Sequence, residues 1–450
     1  MDDRYLLSEP IVAEIVYFPL SIYTRGAANE FRVTLYTARD WSLFAVASAS
    51  SLEIAGPSHG HVAALDGVRG LAILLVLAVH LMLFNNDTGK PLWDRLGQVR
   101  SLGFLGVDLF FVLSGFLITG ILYDTLHDPH YFRSFYMRRF LRIFPLYYGF
   151  LFLLMILAAV LHVHWGGRQF VLLAYLQNTG IWFPTYGFVA GRLVDLNHFW
   201  SLAVEEQFYF VWPMLVYLIK DRKRLIRLAL LLSAGALILR TALSFHATPF
   251  RIGLVHEWTL CRMDTLMLGG CLALLMRGER MPFTRRAAAW WFWGSMLVMV
   301  VFAVTHPVIY LSSAVFIGTV GYSMCAIAFA ALIFLVLDPA SAWNRVFRMG
   351  WLRSFGKYSY GIYVLHILVG SLFSMWVHHL LGTSLRILLT PYLTRPLAIV
   401  VEFCLTVAVV YAAAYLSYNL YEVRFLRLKR YFSYKKTERI PAPAEPVAAE

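Results

Sequence analysis

Ten apolar stretches, each long enough to cross a lipid bilayer, punctuate this 450-residue chain, and they limit its fold more than any motif does. A hydrocarbon core of about 30 Å takes roughly 20 apolar residues of helix to cross. Inside it every backbone N–H and C=O must be paired within the protein, so a chain with such stretches spans as helices. The stretches lie near 65–86, 102–122, 144–163, 198–219, 225–245, 259–277, 287–305, 310–337, 359–381 and 396–420. Composition agrees: 60% of residues are hydrophobic, 14% are charged and the mean hydropathy is +0.65, where soluble domains carry about 25% charge. The expected fold is all-α, a polytopic membrane helix bundle of about ten transmembrane helices.

Positive charge sets the expected orientation, because Lys and Arg collect in cytoplasmic loops. Alternate intervals carry them: Arg133, Arg138, Arg139 and Arg142, then Lys220, Arg222, Lys223, Arg224 and Arg227, then Arg277, Arg280, Arg285 and Arg286, then Arg345, Arg348, Arg353 and Lys357. Arg424, Arg427, Lys429 and Arg430 follow the last stretch, which puts both ends of the bundle in the cytoplasm. The net charge of +13 is therefore a topology signal and gives no support to a nucleic-acid partner. Cys261, Cys271, Cys325 and Cys404 show neither disulfide nor zinc spacing, and no metal is expected. Residues 1–60 read as a weakly ordered extension or a translation start placed too early, with Trp41–Ser51 only faintly like a signal-peptide core. Residues 61–430 form the membrane domain, and 431–450 a disordered tail, basic and then rich in Pro, Ala and Glu.

Within the apolar stretches a few ionisable residues stand out. Arg69 and His80, eleven residues apart, share one helical stripe and are separated by about 16 Å of rise. Arg69 thus falls at one membrane surface and His80 near mid-depth, where an ionisable side chain usually faces a protein-lined cavity. A purely structural alternative is a histidine bonded to a neighbouring helix. Asp108, Glu205, Glu206, Arg262 and Asp264 fall at a similar outer level and could share a layer with His80. Arg262 and Asp264, two apart, cannot face each other, so each needs a partner from another span. The layer is either a polar cavity or a set of mutually neutralised pairs.

A neutral imidazole held by a carboxylate is the usual general base at neutral pH. Glu205 or Glu206 is expected to orient His80 or to polarise the acceptor, with Asp108 as a third candidate. The sequence has no phosphate-binding glycine loop, no Gly-x-Ser-x-Gly elbow and no His-Glu-x-x-His motif, which argues against a nucleotide hydrolase, a serine esterase and a zinc peptidase. Arg138, Arg139 and Arg142 cluster in Met137–Pro145, where guanidinium groups suit phosphates, although positive-inside charge alone also explains them.

These residues carry a resemblance to the acyltransferase family 3 of multi-span membrane acyltransferases. It rests on six blocks in order: Leu65–Gly70 with His80, Gly106–Phe116, Arg138–Pro145, His198–Tyr209, Arg262–Gly269 and Gly356–His366. The resemblance implies transfer of an acyl group, often acetyl, from cytoplasmic acyl-CoA to a sugar or glycan hydroxyl at the outer side of a bacterial inner membrane. Such acceptors include surface polysaccharide and lipopolysaccharide. It makes Arg69 and His80 the core of the site, with Arg69, Arg138, Arg139, Arg142 and Lys357 at the donor phosphates. Ser114, Arg262, Asp264, Tyr360 and His366 would line the substrate cavity, Ser114 near the thioester oxygen.

Direct transfer and a two-step acyl-enzyme route both remain open. The rival function is a proton-coupled transporter or exporter, in which buried histidines and carboxylates relay protons; the inverted repeats typical of such proteins are not evident. Trp182, Tyr186 and Arg192 in an outer loop suit carbohydrate stacking without identifying the acceptor.

Overall fold

The structure, a computed structural model, describes residues 62–81, 97–160, 170–179, 196–245, 248–305, 315–390 and 392–434. The extension 1–60, the outer-loop residues Trp182, Tyr186 and Arg192, and most of the tail lie outside the described residues. Among the described residues there are no strands, and ten helices are long and apolar enough to cross a membrane. The protein is a multi-span membrane protein. Its spans are α1 (Ala63–Leu81), α2 (Leu105–Asp124), α3 (Tyr131–Val160), α4 (Trp200–Ile219), α5 (Arg222–Ser244), α6 (Thr259–Leu275), α7 (Arg285–Thr305), α8 (Tyr322–Val336), α9 (Gly350–Leu381) and α10 (Arg395–Ser417).

Two helices begin well before the apolar stretch that announced them. α3 starts at Tyr131 rather than near 144, and α9 at Gly350 rather than near 359. Hydropathy marks only what sits in hydrocarbon, whereas the backbone hydrogen-bond ladder continues into the interface where arginines are tolerated. Arg138, Arg139 and Arg142 are therefore helical, fixed on α3 ahead of its apolar stretch. Pro145 inside α3 removes a ladder donor. Hydroxyls from other elements bind nearby carbonyls: Tyr360 donates to Ile143 O at 2.7 Å and Tyr421 to Pro145 O at 3.1 Å.

α1 packs against α9 and α2, α2 against α6, and α6 against α5. Close approach is made through glycines, since in lipid helix association depends on packing and not on hydrophobic exclusion. A Cβ added at Gly356 of α9 would stand 1.7 Å from the Asp66 carbonyl oxygen, and one at Gly115 of α2 1.8 Å from that of Leu266 on α6. The first contact sits three residues from Arg69. Gly356→Ala must therefore drive α9 away from α1, at about 1–3 kcal/mol of overpacking. A displacement near 1 Å at the site can cost roughly 10²-fold in rate. Activity in membranes, compared with the amount of folded protein, is expected to fall more than stability does.

Two ion pairs lie in the apolar interior. Arg240 of α5 grips Asp264 of α6 with two bonds, Nη1–Oδ1 at 2.8 Å and Nη2–Oδ2 at 2.6 Å. Arg240 also donates to Gly318 O at 3.0 Å, the Cys261 carbonyl and Ser323 Oγ at 2.7 Å. Arg262 of α6 pairs with Asp108 of α2 and lies 3.8 Å from the centre of the Tyr322 ring. All four charged residues are fully buried; extra hydrogen bonds help offset the desolvation of Arg240 and Asp264, whereas Arg262 and Asp108 rely on their pairing and on the Tyr322 ring.

Candidate active site

Arg69, Ser114, Arg139, Arg142, Glu205, Glu206, Tyr209 and Tyr360 converge on a cavity of about 110 Å³ walled by α1, α2, α3, α4 and α9. One water needs about 10–15 Å³ of such space, so the cavity admits several waters or a slender chain. Its polar lining follows helical stripes. Ser201, Glu205 and Tyr209 recur every four residues on α4, and Ser359 and Tyr363 do so on α9 with His366 three further on. Arg139 and Arg142 come from the extended first half of α3, and Arg69 from α1, where Asp66 accepts from its Nη1 at 2.9 Å.

Glu205 accepts from the Ser114 hydroxyl at 2.6 Å, and Ser114 and Tyr209 hydroxyls are 2.9 Å apart. Ser114 thus lines the cavity, as expected, with its hydroxyl donated to a carboxylate. Glu206 also faces the cavity, and its Oε1 is buried with no hydrogen-bond partner among the described residues. Arg139 stacks 5.5 Å over the Tyr209 ring, tying the arginines to the carboxylate end of α4.

At the far end of the cavity Ser201 and Tyr363 share a hydrogen bond, and Tyr363 donates to His198 O at 2.7 Å. Beyond them three imidazoles gather. His80 to His366 is 5.0 Å between ring centroids, His198 to His366 4.8 Å and His80 to His198 6.2 Å. Hydrogen bonding decides the tautomers of His366 and His80. His366 Nδ1 lies 2.8 Å from Tyr363 O, an acceptor only, so Nδ1 carries hydrogen and a neutral His366 has a lone pair at Nε2. His80 Nδ1 lies 3.0 Å from Val76 O and 3.4 Å from that Nε2. Both neighbours accept, so His80 Nδ1 is the N–H and its Nε2 is left basic.

The imidazole of His366 is therefore brought to His80, where the sequence suggested a carboxylate. Asp108 is engaged by Arg262 and Glu205 by Ser114. Other expectations are corrected in the same way. Asp108, Arg262, Asp264 and His366 are not among the residues that line the cavity: the first three belong to the ion pairs between α2, α5 and α6, and His366 stands beyond Tyr363 against His80. Lys357 is exposed, its Nζ 5.0 Å from the Tyr358 ring and 5.1 Å from that of Tyr418. Arg138 binds backbone carbonyls of Lys429 and Phe432 at 3.3 and 3.4 Å. His198, Ser201, Tyr209, Tyr363 and Arg240 were not singled out in the sequence. The every-fourth-residue polar stripe on α4 was the readable signal for Ser201 and Tyr209.

A family model described as an acyltransferase domain matches residues 62–415, the whole of the described bundle up to α10. The chain belongs to this family, acyltransferase family 3. The family match contains every residue that lines the cavity and all three histidines. Among its relatives, a Bacillus subtilis protein named provisionally as a peptidoglycan O-acetyltransferase is 31% identical over 68% of this chain and 48% of its own length. The peptidoglycan O-acetyltransferase OatA of Listeria monocytogenes is 30% identical over 69% of this chain and 49% of its own. A Staphylococcus aureus protein named provisionally as an O-acetyltransferase is 26% identical over 69% and 50%. The chain spans about half the length of the curated relatives it matches. No solved structure matches it.

Proposed function

We propose that this acyltransferase moves an acetyl group from acetyl-CoA, bound from the cytoplasm, to a hydroxyl of a cell-envelope glycan on the outer side of the membrane. The observation that carries the reading is the polarity of the cavity, with Arg69, Arg139 and Arg142 at one end and the Ser201–Tyr363 pair at the other, where Tyr363 meets His198 and His366, the two imidazoles next to His80. A donor with a multiply charged phosphate head and a thin neutral arm ending in a thioester fits that gradient. Guanidinium groups take phosphate oxygens in pairs, and about 16 Å along α1 separates Arg69 from His80.

In the direct route His80 Nε2 takes the proton of the acceptor hydroxyl as its oxygen attacks the thioester carbon. The C–S bond breaks as the C–O bond forms, and the imidazolium returns its proton to the departing thiolate. His366 Nε2, facing the His80 N–H, steadies the charged ring and fixes which nitrogen is basic. Glu206, with an unpaired carboxylate oxygen on the cavity, suits a hydroxyl-rich acceptor or a bound water. Peptidoglycan is the acceptor to try first, because the Listeria relative is named for it.

The test is transfer of labelled acetyl from acetyl-CoA to peptidoglycan fragments and other envelope glycans in membranes containing the full chain. Arg139→Ala is expected to raise the KM for acetyl-CoA about tenfold or more, the loss of one charge-assisted contact, with less change in kcat. Absence of label on every glycan, with proton-coupled solute flux instead, would replace this reading by the transporter.

A further inference from the structure

Three arginines, Arg69, Arg139 and Arg142, line one end of the cavity, and two further cations adjoin them, Arg138 on the same helix and Lys429, which lies outside the family match. The chain continues beyond α10 through a short helix, Val423–Arg427, and a 3-10 turn, Leu428–Phe432, whereas the family model ends at residue 415. This segment folds back on α3. Arg138 Nη1 donates to the Lys429 and Phe432 carbonyls, Arg133 lies 5.4 Å over the Phe432 ring and Arg138 5.5 Å over the Tyr434 ring. Held in this way, Lys429 is half-buried, with its carbonyl on Arg138 and its side chain within the field of Arg142, Arg139, Arg138 and Arg69.

Such an assembly is costly for a protein to keep without an anion. Arg69 has Asp66 at 2.9 Å, but Arg138, Arg139, Arg142 and Lys429 form no ion pair among the described residues. Glu205 and Glu206 lie on the cavity and Glu422 beside α9, and none reaches these cations within ion-pair distance. Like charges drawn together on converging elements, with backbone carbonyls of the same segment used to hold them, suit a ligand carrying several negative charges. Arg138 is the clamp in this arrangement, since its guanidinium is spent on carbonyls of the segment.

We propose that the segment Val423–Tyr434 is one wall of the donor site, and that Lys429 binds the phosphates of the adenosine moiety of acyl-CoA. The proposal rests on the acetyl-CoA reading above and extends it to a part of the chain that the family pattern does not cover. It predicts that Lys429 matters only for donors that carry phosphate. Acetyl-pantetheine has the same thioester and arm without the charged head, and so separates the two contributions.

The experiment uses the full chain purified in lipid nanodiscs, with CoA binding followed by calorimetry and acetyl transfer measured with acetyl-CoA and with acetyl-pantetheine. Lys429→Glu is expected to weaken CoA binding and raise the KM for acetyl-CoA about tenfold, the scale of one charge-assisted phosphate contact. Lys429→Arg should stay within about twofold. The KM for acetyl-pantetheine and kcat with either donor should not move. Equal CoA affinity in the Lys429→Glu variant and the unaltered protein would overturn the inference. So would a parallel loss with both donors, because it would mark Lys429 as structural. If the unaltered protein binds no CoA and accepts acetyl from neither donor, the acetyl-CoA reading itself has failed, and this inference with it.

Discussion

Replacing His80 by alanine is expected to lower kcat for acetyl transfer by roughly 10²–10⁴-fold, the usual contribution of a positioned general base, while CoA binding stays within about twofold. The separation follows from the geometry. His80 is near the last turn of α1, with Arg69 about 16 Å back along the same helix, so removing the imidazole leaves the phosphate end untouched. His366 sharpens the test. His366→Leu removes the acceptor that faces His80 Nδ1–H, whereas His366→Asn can present an amide oxygen there. The leucine variant is expected to lose roughly 10–100-fold in kcat and the asparagine variant to recover most of it. Equal losses in both would mean that His366 fills space and does not orient the base. A His80→Ala variant that still turns over at near the unaltered rate would remove His80 from the chemistry.

Asp264→Ala should be the most destabilising of the single substitutions considered, by about 3–5 kcal/mol, because it strands the Arg240 guanidinium in the apolar interior without its two carboxylate bonds. The remaining contacts to Gly318, Cys261 and Ser323 satisfy N–H groups but leave the charge unbalanced. Removing both charges with Arg240→Met and Asp264→Leu should recover most of the stability, since buried pairs exchanged for apolar residues are often neutral. Thermal unfolding in detergent or nanodiscs measures both. Recovery of stability and of acetyl transfer together would make the pair a fastener between α5 and α6. A stable double variant that has lost activity would instead give the pair a part in moving protons, as the transporter reading requires.

The sequence was legible wherever one element could be read alone. Length and apolarity gave the ten spans, since a bilayer leaves the backbone few alternatives. The i, i+11 spacing put Arg69 and His80 on one stripe of α1, because eleven residues are close to three turns of any α-helix. The six ordered blocks pointed to the acyltransferase family before any contact was known.

What hydropathy could not show was where helices outlast hydrocarbon. α3 starts thirteen residues ahead of its apolar stretch, and that extension carries Arg139 and Arg142 to the cavity. Partner choice was equally hidden. Asp108, Glu205, Asp264 and His80 stand at comparable depth in the sequence, yet depth says nothing about azimuth. The close glycine contacts at Gly115 and Gly356 set how α2 faces α6 and how α1 faces α9. Those rotations turn Asp108 to Arg262 and His366 to His80. By itself the sequence determined the number of spans, which follows from local apolarity and the thickness of a bilayer, and the family, which follows from the resemblance of its six ordered blocks. Only the tertiary structure decided which of the ionisable residues meet, because a side chain's partner depends on helix rotation and close approach between segments distant in the chain.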